Sequence, residues 1–161
     1  MMVQCRKRAI RRGSAMTEAA IVLPVFLTLC LGMIDLGFAI FQNNAIGEAS
    51  RQAARIASVH GAMASADGTG STWGPAEYTG TGDSADPIPT AIRGAGALAG
   101  LNPANVTIDV QWPTGNNRAP DNGVSDTVQV TVSTNWSPFV LYIFGNQTVP
   151  LSATSIMPIA H

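Results

Sequence analysis

Residues 19–41 form a 23-residue apolar run, AAIVLPVFLTLCLGMIDLGFAIF, whose one charged side chain is Asp35. An α-helix rises about 1.5 Å per residue, so a helix of this length covers the roughly 30 Å hydrocarbon core of a bilayer. The run predicts a transmembrane helix. It leaves room for one small folded domain in the rest of the 161-residue chain.

The basic residues predict how this helix is oriented. Five of the nine stand just before the apolar run, and the next two follow its end at a distance: Arg6, Lys7, Arg8, Arg11 and Arg12, then Arg51 and Arg55. The positive-inside rule places the N-terminus in the cytoplasm and the C-terminal part on the outer side of the membrane. We expect a single-pass protein of the inner (cytoplasmic) membrane. From Gly13 onward the chain contains four basic and ten acidic residues. We therefore expect no nucleic-acid partner, because phosphate binding needs basic residues spread over a folded face.

Other kinds of N-terminal segment fit less well. A cleaved secretory signal has a shorter apolar region, about 7 to 15 residues, that ends in an A-x-A arrangement. A lipoprotein anchor needs small residues before its cysteine, whereas Cys30 follows Thr28 and Leu29 in mid-run. A plain signal anchor without further processing stays open as an alternative.

A glutamate stands between the basic segment and the apolar run, in Gly13-Ser14-Ala15-Met16-Thr17-Glu18. A carboxylate at the end of a membrane helix raises the free energy of insertion unless it is paired. Cleavage after Gly13 would make Ser14 the amino terminus and Glu18 the fifth residue. The α-amine of a neighbouring copy would then neutralise Glu18 in a medium of low dielectric constant.

These features resemble type IV prepilins and pseudopilins, and most closely the TadE-like proteins of tight-adherence (Flp-type) pilus assembly. The matching features lie within about residues 11–60 and are Gly13, Glu18, Leu23-Pro24, Asp35-Leu36-Gly37 and the Ala- and Arg-rich segment 48–55. The resemblance implies that prepilin peptidase cuts between Gly13 and Ser14 and leaves 148 residues, which is 161 minus 13. It also implies that Glu18 is an assembly contact, and that the partners are other pilin or pseudopilin subunits and the pilus assembly platform.

Within this group, the size and Ala19 after Glu18 favour a pseudopilin or minor pilin, which in some cases enters a surface pilus. Small major pilins of the system often carry an aromatic residue at that position. A type II secretion pseudopilin is a further alternative, although Ser14 and Ala15 fit its usual start less well. From a different class, the alternative is a signal-anchored envelope protein whose outer β-domain binds a ligand or partner.

The predicted fold is a membrane-anchored α+β protein, in which the transmembrane helix extends into a small outer domain with a short antiparallel sheet. We expect a leader at 1–13, a long helix at 14–60 with its span at 19–41, and the outer domain at 61–161. Phe38, Phe41, Ala45, Ala49, Ala53 and Ile56 are spaced three or four apart on one face, which predicts a helix that continues beyond the membrane. Pro24 should bend the helix. Asp35 suggests an intramembrane polar contact with another subunit, or a span shifted so that Asp35 nears the outer interface.

In the outer domain, residues 61–89 are predicted to be a long exposed loop and residues 90–101 a short helix. Alternating apolar residues predict strands at 106–112 and 128–132, with a third near 148–157. We expect the apolar face of this sheet to pack on the alanine-lined helix. The apolar run FVLYIF at 139–144 is expected to be a buried strand or connection, the alternative being contact with the membrane surface.

No catalytic motif is recognisable, so we expect no enzymatic activity, no metal site and no cofactor. His60 and His161 have no ligand spacing around them and are expected to be solvated. Cys5 and Cys30 fall in the leader and in the span, and cannot form an extracellular disulfide.

Overall fold

A single long helix dominates the structure. The computed structural model describes residues 7–65, 71–113, 122–123, 126–139, 145 and 147–160, with side chains from residue 15 onward. Helix α1 extends over Lys7–Ser58, 52 residues, or about 78 Å at the standard rise. The prediction of one helix that continues past the apolar run is confirmed.

The remaining elements form a four-stranded antiparallel sheet with one short helix. Strand β1 (Tyr78–Thr81) is followed by α2 (Pro87–Gly94), by a 3-10 turn at Pro103–Asn105 and by β2 (Val106–Gln111). Strands β3 (Thr127–Trp136) and β4 (Val149–Pro158) complete a meander with the order β1-β2-β3-β4. The three strands predicted from alternation are therefore confirmed, and so is the α+β class.

The C-terminal part of α1 packs on this sheet through small side chains. Its buried residues recur every three or four positions: Ile46, Ala49, Ser50, Ala53, Ala54 and Ala57. This is the spacing of one helix face. The predicted alanine-lined contact is confirmed from Ala45 upward, whereas Phe38 and Phe41 of the same predicted face are 60% and 58% exposed.

The strands contribute the other half of the core. Every second residue is buried in β2 and, as far as Val132, in β3, as expected for strands with one covered face: Val106, Ile108, Val110, Val128, Val130 and Val132. Their β-branched side chains meet the alanines of α1 and, from the α2 side, Ile92 and Leu98. Small residues on the helix bring its backbone close to the sheet, which compensates for the scarcity of large apolar residues.

Strands β3 and β4 run along α1. At one end, the Ala160 amide donates to the Ser58 carbonyl at 2.9 Å, and the Ile159 amide donates to the Asp126 carbonyl at 2.8 Å. At the other end, Trp136 and Val149 pair across the sheet and lie beside Leu36. A ten-residue strand spans about 33 Å, and the helix covers about the same distance between Leu36 and Ser58. The sheet therefore reaches back down α1 into the apolar run.

The prediction of an exposed loop over 61–89 is wrong in its second half. Residues 78–81 form β1, which pairs with β2 in the register Tyr78 with Val110, and Trp73 is only 4% exposed. A Gly- and Thr-rich segment buries little surface of its own, but the open edge of β2 supplies backbone partners that the local sequence does not reveal. Gly74 has a φ of +76°, and the Trp112 ring occupies the space that a Cβ there would need.

The short helix is also displaced from its predicted place at 90–101. It begins at Pro87, since proline suits the first turn of a helix, and it ends at Gly94. Gly96 follows with a φ of +77°, a left-handed conformation that does not continue a helix. Residues 140–144 of the FVLYIF run, Cys5 and His161 lie outside the described residues, so the predictions for them stay predictions.

We predict that Ala53→Leu destabilises the outer domain by about 1–3 kcal/mol, because a larger side chain overpacks a fully buried position against the sheet. The matched control is Arg55→Leu, which introduces the same residue at an exposed position two residues away. The measurement is urea unfolding of the detergent-solubilised full chain, followed by the fluorescence of buried Trp73 and Trp112. Equal midpoints for the two variants would contradict the packing described.

We predict that Asp86→Asn lowers the pKa of Tyr78. The Tyr78 hydroxyl donates to Asp86 Oδ2 at 2.9 Å, and the Tyr78 pKa is raised above its ordinary value of about 10 by burial first and by this hydrogen bond second. Loss of the carboxylate removes the second cause, so the pKa falls toward its ordinary value, while burial still raises it. Because the folded-state pKa is raised, the phenol's contribution to stability is complete below pH 10 and is lost as the pH rises through the folded-state pKa.

Phenolate absorbance in a Tyr142→Phe background isolates Tyr78, since the chain has two tyrosines. Asp83→Asn is the control, because Asp83 accepts a hydrogen bond from Thr81 instead. An unchanged Tyr78 titration in Asp86→Asn would rule out the hydrogen bond as a cause.

Candidate functional site

The predicted processing residues lie near the start of α1. The Gly13–Ser14 bond falls within the helix, which begins at Lys7. Positions 14 and 18 are four residues apart, so they are one helical turn, about 6 Å, from each other. The Glu18 side chain is exposed, as an assembly contact with another chain requires.

The helix that follows is apolar and uncovered. It is the one helix in the described part of the chain that is long and apolar enough to cross a membrane, and none of its most apolar 18-residue window is buried within the chain. A core helix of a soluble domain would instead be covered by its own protein. Its exposed large apolar residues are Met16, Ile21, Val22, Leu23, Val25, Phe26, Leu27, Leu29, Met33, Ile34, Leu36, Phe38, Ile40 and Phe41.

Pro24 stands inside this exposed segment, and α1 continues through it as an α-helix. Proline lacks the amide that would bond to the carbonyl four residues earlier. Four residues later, the Thr28 hydroxyl donates to the Pro24 carbonyl at 2.8 Å, which satisfies the hydroxyl in an apolar setting. The Thr28 side chain is thus bonded back to the backbone of its own helix.

Asp35 lies where the sheet meets the apolar helix. Two grooves of about 470 Å³ each flank this meeting point, and both are lined by Asp35 and Trp136. Asp35 is half-buried and makes a polar interaction within the chain. The structure thus brings the predicted intramembrane carboxylate together with a tryptophan from the end of β3.

A second group of residues meets α1 here, and of these only Phe139 was singled out from the sequence, as the first residue of the 139–144 run. We call Trp136, Ser137, Pro138, Phe139 and Val149 the sheet tip; they close the sheet at the end where it lies against α1. Pro138 is buried, whereas Phe139 is 56% exposed. One signal was available: residues 127–160 contain no Asp, Glu, Lys or Arg, although the rest of the chain carries nineteen.

At the C-terminal end of α1 lies a structural cluster of side chains rather than a reactive site. The His60 ring stacks on Trp73 with centroids 4.1 Å apart, and its Nδ1 donates to the Ile56 carbonyl at 2.7 Å. The prediction of a solvated His60 is therefore wrong, because Trp73 folds back over the helix end. The Asn122 side-chain amide donates to the Trp73 carbonyl at 2.6 Å and holds the tryptophan there.

Among the residues that the structure describes, no group of three or more His, Cys, Asp or Glu side chains is placed to hold a metal ion. Cys30 is a free, half-buried thiol on α1. What the described residues do offer is a long apolar helix surface with an acidic residue near each end.

Comparison with known proteins places the resemblance on the same helix. No curated protein and no solved structure is significantly similar to the chain. The family model of TadE-like proteins matches residues 13–55. The match begins at Gly13, extends through Glu18 and Asp35, and ends at Arg55 in the part of α1 that packs on the sheet. It confirms the resemblance inferred from these residues, and over this segment the chain is similar to TadE-like proteins.

Proposed function

We propose that the chain is a pseudopilin or minor pilin that acts structurally in assembling a tight-adherence type IV pilus. One observation carries the proposal: the TadE-like match begins at Gly13, the residue before the proposed cut, and covers the exposed apolar helix. The basic leader is cytoplasmic, α1 crosses the cytoplasmic membrane, and the sheet lies outside. The partners are prepilin peptidase, sister subunits and the assembly platform.

The uncovered surface of α1 supports a role in helix packing. Between Met16 and Phe41 the large apolar side chains named above are at least 49% exposed. Lipid covers such a surface in the membrane, and the helices of other subunits replace the lipid when a fibre or a complex forms. The protein acts through this exchange of neighbours and not by catalysis.

Glu18 supplies the register of this packing. In the full-length chain residue 14 is bonded to Gly13 through a peptide, so no α-amine exists near the carboxylate. Cleavage creates the amine, and the amine of one subunit pairs with Glu18 of the next. A charge pair in low dielectric is strong, and an unpaired carboxylate there is costly, so misaligned helices are disfavoured. Asp35 is proposed to add a second polar contact between subunits.

We predict that Gly13→Ala abolishes maturation. Glycine has no Cβ, so the backbone at residue 13 can approach the peptidase closely, and the methyl group of alanine hinders that approach. N-terminal sequencing and intact mass of the protein from its native membrane should show a start at Ser14 in the wild type and an uncut chain in the variant.

Gly32→Ala is the matched control, because it adds the same methyl group to the same helix with no atom within 4 Å of it. It should mature normally. A wild-type chain that keeps its leader would instead favour the signal-anchored envelope protein, and the search would move to a ligand of the outer domain.

We predict that Glu18→Gln is cut at Gly13 like the wild type but is lost from assemblies. The amide keeps the size of the side chain and removes the charge that pairs with the α-amine. Crosslinking and co-purification with sister subunits measure the loss, which we expect to be nearly complete. The control is Glu48→Gln, because Glu48 is exposed and bonds within its own helix, to Arg51 and Gln52. Equal assembly of both variants would exclude Glu18 as a contact.

A further inference from the structure

We propose that the sheet tip rests in the outer leaflet of the bilayer that α1 crosses, so that the outer domain is anchored at two places. The inference rests on the membrane anchoring in the proposed function and is independent of the role in a pilus. The ligand is a phospholipid surface, met at the boundary between head groups and acyl chains.

The first support is the level of the tip along α1. A span needs about 20 residues, so a span that begins between Ser14 and Ala19 reaches its outer end between about Ile34 and Phe38. The tip lies beside Asp35 in two grooves, whose other α1 residues are Thr28, Leu29, Gly32, Met33 and Leu36 in one and Leu31, Ile34 and Phe38 in the other. The tip therefore straddles the outer boundary if the span begins at Ser14, and lies at or below it if the span begins at Ala19.

The second support is the chemistry of the tip. Phe139 is 56% exposed and Val149 is 37% exposed, and Trp136 is of the residue type that is enriched where the bilayer meets water. The hairpin from which the tip projects carries no charged residue between 127 and 160, whereas β1, β2 and α2 carry or flank Asp83, Asp86, Arg93 and Asp109. The charged residues of the domain thus lie in its other elements, and the β3–β4 hairpin has none of them.

Backbone chemistry points the same way. β4 is an edge strand, and an unpaired backbone amide facing acyl chains is costly. The second residue of β4 is Pro150, which has no amide to leave unpaired. Asn135 and Ser137 are polar and exposed, which keeps the tip at the interface and out of the bilayer centre.

Lipid is the occupant that these observations favour. The exposed Phe139 lies at the same level as the exposed Ile34 and Phe38 of α1, and the three line one groove. The apolar surface of the tip is therefore continuous with the surface of the span. A bilayer that covers the span therefore also covers the tip, and the chain needs no change of conformation for this.

The test is quenching of tryptophan fluorescence by brominated phosphatidylcholine, with the full-length protein in vesicles. The chain has three tryptophans, and Trp73 and Trp112 are buried in the core at 4% and 3% exposure. We expect bromine near the head groups to remove about one third of the emission, the share of one tryptophan in three, and bromine deep in the chains to remove less. Trp136→Phe should abolish the quenching.

Two variants keep the result interpretable. Phe139→Trp in the Trp136→Phe background should restore quenching by shallow bromine, even if replacing Trp136 disturbs the groove. Phe26→Trp in the same background reports on the span itself and should be quenched by deep bromine.

The span reporter separates failure of the proposal from failure of the anchor. If the Phe26→Trp variant is quenched while the wild type and the Phe139→Trp variant are not, the proposal is overturned and the membrane anchor stands. If the Phe26→Trp variant also escapes quenching, both the proposal and the anchor are overturned.

The density of protein in the vesicle separates lipid from a second copy of the chain. Quenching that stays constant as the protein-to-lipid ratio rises supports lipid contact. Quenching that decreases with density would show that another copy covers the tip, which would contradict a standing lipid contact.

Discussion

The packing of small side chains on α1 against β3 and β4 is the contact on which the rest of the structure depends. The chain has few large apolar residues outside the helix, so it builds its core by bringing backbones close together. Ala49, Ala53 and Ala57 supply almost no bulk, and the valines of the sheet fill the space. The same helix that forms this core continues as the uncovered apolar segment, so the helix itself fixes the position of the sheet relative to that segment.

Charge is distributed in accordance with this arrangement. The segment before Gly13 holds five basic residues, the acidic residues that follow α1 lie in or before β2 and in the β2–β3 connection, and the β3–β4 hairpin carries no charged residue. Such a separation lets one face of a small domain tolerate a low dielectric while the other stays hydrated. Asp35 is the exception within the span, and it lies beside Trp136, where a groove can admit a polar partner.

The helix and three of the four strands were predictable, because their signals are periodic and local: the apolar run with its 3.6-residue continuation, and the alternation of valine with polar residues. β1 was missed because its pairing depends on the edge of β2 and not on its own side chains. α2 was displaced because Pro87 and Gly96, rather than the apolar spacing, set its ends. Gly13 and Glu18 were recognisable from their order along the chain, whereas of the sheet tip only Phe139 stood out, as part of an apolar run. The tip residues meet α1 only when the hairpin folds back over the helix. This contact joins residues about a hundred positions apart in the sequence, so no local pattern predicts it.

The direction in which the hairpin lies has a mechanical consequence. Since β3 and β4 run alongside α1, and the Ala160 amide just after β4 donates a hydrogen bond to the Ser58 carbonyl, a pull along the helix axis loads the helix–sheet contact in shear. Shear engages the whole row of alanine contacts at once, whereas a pull across the axis would separate them one after another. A force applied along α1 would therefore move the helix and the sheet together as one rigid body.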